Sequence, residues 1–160
     1  ILDLYSSWVS EATSEEVVIS YVSMHDSTKE ASEFLATELS KYSIPVTMYN
    51  LSSADIGDIA AKLIESSTLI LAAPTVFGAP HPTMMHFLSL LAIIKPKCTH
   101  IGFMGSYAWG TKASDIVKNS IGFPVTFFDS ILFKGRPKQD DLQKISQLAK
   151  SIHDLTENLV

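Results

Sequence analysis

The feature that most constrains the fold is the alternation of short, β-branched apolar runs with amphipathic stretches. The first run, residues 17–22, is nearly all apolar, which is typical of a strand buried on both faces of a sheet. After it, Ala31, Leu35 and Leu39 recur at helical spacing, and Pro45 ends the helix. Further strands are predicted over residues 46–49, 68–73, 100–105 and 125–133, with helices over 56–64, 83–94, 113–121 and 142–159.

Five strands that alternate with five helices predict an α/β fold, a doubly wound five-stranded parallel sheet with helices on both faces. The last strand is expected to be bent or interrupted near Asp129. We assign residues 15–160 to this one domain and residues 1–14 to a connector segment. Since ligands of such sheets bind beyond the carboxyl ends of the strands, the loops after strands one, three and four are expected to form one site.

Composition argues against a nucleic-acid-binding or membrane-spanning role. The chain has 12 basic and 17 acidic residues, a net charge of −5, and it lacks the clustered basic face of nucleic-acid-binding proteins. Its longest apolar stretch, residues 84–94, is about half of the roughly 20 residues that a membrane span needs. The single Cys98 fits a reducing compartment, so a cytoplasmic location is predicted. The five histidines are scattered singly, and no metal site is predicted.

The first of the three loops carries hydroxyl groups and leads into a helix. Ser23, Ser27 and Thr28 lie there, beside free backbone N–H groups and the positive end of the helix dipole, which favour a phosphate group. In the other interpretation, Ser27 or Thr28 only caps the helix. The residues of this loop alone leave both interpretations open.

The second and third loops offer flat and aromatic surfaces. Residues 74–82 contain three prolines and Gly78, so this loop is rigid enough to lie against a planar ring, unless Phe77 is part of the core. Tyr107 and Trp109 lie between glycines, where exposed aromatic side chains stack on planar ligands, unless Trp109 packs over the adjacent helix. A phosphate cradle between two such walls suits a planar mononucleotide with one phosphate, such as FMN.

The same loops resemble those of a known family, the flavodiiron proteins or A-type flavoproteins, in their C-terminal FMN domain. The family's phosphate loop corresponds to Ser23-Met24-His25-Asp26-Ser27-Thr28, its two Pro-Thr pairs to Pro74-Thr75 and Pro82-Thr83, and its Gly-Ser-Tyr-Gly-Trp-Gly loop to Gly105-Ser106-Tyr107-Ala108-Trp109-Gly110. The resemblance covers nearly the whole chain. Tyr5 and Trp8 resemble the family's interdomain connector, and Ile1 would then be a cut within it.

The resemblance implies a flavodoxin-like fold and an FMN-binding electron-transfer domain. Electrons would pass from a rubredoxin or an NAD(P)H-dependent reductase, through FMN, to a metallo-β-lactamase-like diiron domain that reduces oxygen or nitric oxide. That domain would lie in the same parent chain or in a partner subunit, and the full-length protein would be a homodimer. No catalytic residue is expected in this chain. The FMN contacts that the resemblance implies are Ser23, Met24, His25, Asp26, Ser27, Thr28, Pro74, Thr75, Val76, Phe77, Gly78, Ser106, Tyr107, Ala108, Trp109 and Gly110.

Three residues depart from the family's pattern. Asp26, His25 and Ala108 differ from the usual residues, and a carboxylate at ~4 Å from a phosphate is repelled by about 1–4 kcal/mol per charge pair.

The main alternative function is a free-standing FMN-dependent NAD(P)H:quinone or flavin reductase of the same fold. A phosphoacceptor receiver is excluded, since strands one and three do not end in carboxylates. The net charge of −5 is expected to lower the reduction potential of the flavin.

Overall fold

The structure, a computed structural model, describes residues 14–158. Apart from Ser14, the predicted connector with Tyr5 and Trp8 lies outside the described residues. The strands are β1 (Ser14–Tyr21), β2 (Val46–Asn50), β3 (Ser66–Val76), β4 (Ala79–Pro80), β5 (His100–Tyr107), β6 (Thr126–Phe127) and β7 (Ile131–Lys134). The helices are α1 (Ser27–Ser40), α2 (Ile56–Glu65), α3 (Pro82–Ile94), α4 (Ala113–Ser120) and α5 (Gln139–Asn158).

The sheet has the predicted doubly wound topology. Its strand order is β2-β1-β3-β5-β6, and β7 also pairs with β5. These pairs are all parallel. Because β6 pairs with the start of β5 and β7 with its end, the two short strands together form the fifth strand. The predicted interruption near Asp129 is therefore confirmed.

Both faces of the sheet are covered by helices, which explains why its strands are nearly all apolar. On one face, Val18, Leu69 and Leu71 pack with α2, α3 and α4. On the other face, Ile19 and Ile70 pack with α1 and α5. Successive residues of a strand point to opposite faces, so one continuous apolar run supplies two separate cores.

The segment after β3 differs from its prediction. The strand was expected to end at Ala73, but it continues to Val76 and turns back into β4, which is antiparallel to it. Phe77 and Gly78 form the turn, with φ of 50° and 81°, the signs required by a two-residue type I′ hairpin. Pro74 has no N–H to donate, yet its carbonyl oxygen accepts from the backbone N–H of His81 at 3.0 Å. The long loop of the prediction is thus a tight hairpin.

Cys98 is buried just before β5. This is the amino end of the strand, opposite to the three loops. Burial raises the pKa of its thiol to about 11, so the group stays protonated and unreactive at neutral pH. Within residues 14–158, no helix is long and apolar enough to cross a membrane.

Candidate functional site

The three loops meet at one cavity of about 370 Å³ beyond the carboxyl ends of β1, β3 and β5. It lies beside the point where the strand order reverses, since the chain passes from β1 to β2 on one side and then crosses back over β1 to β3 on the other side. Ligands of open α/β sheets bind at such points, and the volume is in the range of small-molecule sites. Its lining residues are Met24, His25, Ser27, Thr28, Pro74, Thr75, Val76, Ser106, Tyr107, Ala108 and Gly135.

Two larger cavities lie away from these loops. One, of about 540 Å³, is bordered by Asp129, the interrupted fifth strand and α5. The other, of about 580 Å³, includes Cys98 at the amino end of β5. Neither lies at the carboxyl edge of the sheet, where its topology favours a ligand, so we assign the site to the smaller cavity.

The amino end of α1 borders the cavity through Ser27 and Thr28 and has groups that can bind an anion. The helix begins at Ser27, and the N–H groups of its first residues have no acceptor within the helix. The N–H of Lys29 donates to Ser23 Oγ at 3.4 Å, and Asp26 precedes the helix without a side-chain cap. Neither Ser27 nor Thr28 is the capping residue, so the capping interpretation of these two residues is wrong.

Thr28 joins the first loop to the third. It is only 1% exposed, and its hydroxyl oxygen lies 3.5 Å from Ser106 Oγ. Both residues line the cavity. The two hydroxyl groups therefore lie together in the cavity wall, where the amino end of α1 meets the third loop.

The second and third loops are also joined to each other. The N–H of Lys112 donates to the carbonyl oxygen of Gly78 at 2.9 Å. Thr75 Oγ1 donates to Thr111 Oγ1 at 2.8 Å. The hairpin and the segment after β5 thus form one unit, which fixes the two walls relative to each other.

Phe77 and Trp109 project into solvent from these walls. Phe77 is fully exposed, and Trp109 is 98% exposed. The alternatives that place Phe77 in the core and Trp109 over a helix are therefore both wrong. Phe77, Gly78 and Gly110 border a fourth cavity, of about 460 Å³, and Trp109 lines neither this cavity nor the assigned site.

The three residues that depart from the family's pattern differ in where they lie relative to the cavity. Asp26 has φ of 63° and is exposed, and it does not line the cavity. His25 and Ala108 do line it. Among residues 14–158, Ala108 is not one of the non-glycine residues with positive φ. The alanine in place of glycine therefore introduces no backbone strain.

Gly135 is a lining residue that the sequence interpretation missed. It follows β7, has φ of 70°, and donates its N–H to the carbonyl oxygen of Tyr107 at 2.9 Å. The available signal was a glycine directly after the fifth strand, because that strand also ends at the carboxyl edge of the sheet. The predicted site comprised only the loops after strands one, three and four.

The described part of the chain contains no group of three or more His, Cys, Asp or Glu side chains that could hold a metal ion. The His100 ring lies tilted against Phe128, with ring centroids 5.5 Å apart, and burial lowers the pKa of its imidazole. It is therefore neutral at pH 7. The cavity itself is lined by backbone groups, hydroxyl groups and the rings of His25 and Tyr107, which can bind and orient a ligand.

Curated relatives are about 25% identical to the chain in sequence. The chain is 25% identical over 159 residues to an uncharacterized protein of Methanocaldococcus jannaschii, a match that covers 97% of this chain and 40% of the relative. It is 24% identical over 158 residues to a nitric oxide reductase of Moorella thermoacetica, covering 95% and 39%. The chain thus spans about two fifths of the length of these relatives. No family model matches it.

Solved structures share the fold over nearly the whole chain. Rubredoxin oxygen:oxidoreductase of Desulfovibrio gigas superposes with a TM-score of 0.86 and 20% identity, covering 96% of this chain and 39% of that one. The flavodiiron protein of Giardia intestinalis superposes with a TM-score of 0.83 and 16% identity, covering 95% of this chain and 38% of that one. A flavodoxin from the domain Archaea superposes with a TM-score of 0.77 and 19% identity, covering 89% of this chain and 99% of that one. The fold is therefore flavodoxin-like, and it is similar to the flavodoxin-like part of flavodiiron proteins.

Proposed function

We propose that the chain is an FMN-binding electron-transfer domain. The observation that carries the proposal is the cavity itself, because ten of its eleven lining residues come from the three loops whose motifs resemble those of flavodiiron proteins. Similarity to a flavodoxin along 89% of the chain supports it. FMN supplies the redox chemistry when bound, and the protein supplies binding, orientation and electrostatics.

The phosphate of FMN fits the amino end of α1. The N–H groups of the first helical turn and the hydroxyl groups of Ser23, Ser27 and Thr28 act as donors there. The helix dipole adds a partial positive charge. Because Asp26 is exposed and outside the lining, its carboxylate does not occupy the place of the phosphate.

The flat ring of the flavin fits between the joined second and third loops. Thr75, Val76 and Phe77 border one side of the ring. Tyr107, Trp109 and Gly110 border the other. Phe77 and Trp109 are exposed in the structure and belong to short turns with positive-φ glycines at Gly78 and Gly110, so both rings are available to cover the flavin.

The electron acceptor is a diiron domain outside this chain. The chain spans two fifths of its relatives, and one structural neighbour is named a flavodiiron protein and another a rubredoxin oxygen:oxidoreductase. We therefore place the diiron domain in the same parent chain or a partner subunit, within a homodimer, with rubredoxin or an NAD(P)H-dependent reductase as donor in the cytoplasm. Neither the cavity nor these relatives favour a free-standing quinone or flavin reductase.

A flavin titration tests the proposal. The purified chain, freed of flavin, is titrated with FMN while flavin fluorescence and the visible spectrum are recorded. Quenching and a band shift at micromolar concentration are expected. Absence of both at that concentration contradicts FMN binding, whereas rapid NAD(P)H oxidation by the loaded chain alone would support the reductase instead.

A further inference from the structure

Arg136, the only arginine of the chain, lies at the phosphate end of the site. It directly follows Gly135, which lines the cavity. Its Nε lies 3.7 Å from Glu30 Oε2, and Glu30 belongs to the first turn of α1. This ion pair connects the loop after β7 to the helix end where the phosphate is proposed, so the guanidinium group lies close to that position.

The carboxylates around this helix end favour a cation there. Asp26 precedes the helix and Glu30 follows in its first turn, so two carboxylates flank an incoming phosphate. Lys29 lies between them in sequence, but its ammonium group is 3.9 Å from Glu33 Oε1. Among the ion pairs of residues 14–158, Arg136 is the basic residue that reaches the first turn of α1 from another element. A guanidinium group has five N–H donors, enough to contact a carboxylate and a phosphate at the same time.

The backbone that carries Arg136 is fixed, whereas its side chain is accessible. The N–H of Gly135 is bonded to the carbonyl oxygen of Tyr107 at 2.9 Å, and Pro137 restricts the backbone of the residue before it. The Arg136 side chain is 73% exposed. Exposed ion pairs of this kind contribute little to folding stability, so the arginine is free to serve binding.

We propose that Arg136 contacts the phosphate of the bound flavin and makes the site select FMN over riboflavin. This inference rests on the proposed FMN function and adds the source of its specificity. In the structure without ligand, the guanidinium group already lies near the helix end, with its Nε 3.7 Å from Glu30 Oε2. Bidentate contact with phosphate is a geometry that arginine provides and lysine does not.

The test compares two flavins on three proteins. FMN and riboflavin differ by the phosphate, and their dissociation constants are measured by fluorescence quenching with the full chain. Arg136→Gln removes the guanidinium group. Lys138→Gln is the matched control, because it removes one exposed positive charge from the same loop. We expect Arg136→Gln to weaken FMN binding about tenfold and to change riboflavin binding less than twofold, and Lys138→Gln to change both less than twofold.

Each other outcome overturns a distinct claim. If Arg136→Gln weakens FMN binding no more than Lys138→Gln does, or weakens the binding of both flavins equally, Arg136 does not contact the phosphate. A wild-type chain that binds FMN and riboflavin equally well overturns the selectivity. A wild-type chain that binds neither flavin overturns the proposed function, and this inference with it. Arg136→Lys provides a further check, because a bidentate contact predicts that retained charge restores only part of the FMN affinity.

Discussion

Replacement of Trp109 by alanine separates a role in flavin binding from a role in folding. The side chain is 98% exposed, so its removal creates no cavity and breaks no core contact. Surface substitutions of this kind usually change the free energy of unfolding by less than about 0.5 kcal/mol. The stability of the flavin-free chain should therefore be unchanged.

FMN affinity, in contrast, should fall clearly. An aromatic side chain stacked on a planar base contributes about 1–3 kcal/mol by alanine substitution, which corresponds to roughly 5- to 150-fold in the dissociation constant. Two measurements are needed: fluorescence quenching gives the dissociation constant of FMN, and urea unfolding of the flavin-free chain gives the free energy of unfolding.

Two matched variants complete this test. Trp109→Phe keeps a ring and should recover most of the affinity. Ile93→Ala removes an exposed apolar side chain far from the loops, at the end of α3, and should leave affinity unchanged. An unaltered dissociation constant in Trp109→Ala refutes stacking. A large loss of stability in the flavin-free variant would show instead that the ring packs against the protein.

Three further substitutions follow from local features. Ser20 Oγ is fully buried and has no hydrogen-bond partner among the described residues. Ser20→Ala should therefore raise the free energy of unfolding, measured with urea, by about 1 kcal/mol. The control Ser32→Ala removes a 2.8 Å hydrogen bond to the Thr28 carbonyl oxygen and should lower the free energy of unfolding. Phe77 has φ of 50°, a conformation that glycine adopts without steric cost. Phe77→Gly should therefore raise the Tm of the flavin-free chain. Phe77→Ala keeps the Cβ and should not raise the Tm. Asp26→Asn should tighten FMN binding about two- to fivefold at low salt, since an exposed carboxylate no longer repels the phosphate; a similar gain for riboflavin would contradict that cause.

The sheet could be predicted because its physical signal is local and strong. Strands buried on both faces are apolar at nearly every position, and residues 17–22 and 68–73 are apolar except for Ser20 and Thr68. The interruption of the fifth strand was visible because Asp129 and Ser130 break the apolar run of residues 125–133. The hairpin at Phe77 was not visible, because Pro74 normally ends a strand and Phe-Gly is not a preferred type I′ turn pair.

The position of the site followed from topology, whereas the directions of its side chains did not. The carboxyl ends of parallel strands lie on one edge, so the convergence of three loops needed only the order of elements. Whether Trp109 points into a cavity or into solvent depends on loop dihedral angles that no residue pattern specifies. The ion pair between Arg136 and Glu30 joins residues more than 100 positions apart in sequence, and no local pattern reveals it.

The charge that a bound flavin senses is local, so the net charge of −5 does not by itself set its reduction potential. At physiological ionic strength, exposed charges more than about 8 Å apart are largely screened. Lys112 is a basic residue beside the proposed ring site, because its backbone N–H donates to the carbonyl oxygen of Gly78 in the hairpin. A cation on that side favours added negative charge on the ring, which opposes the effect expected from the net charge.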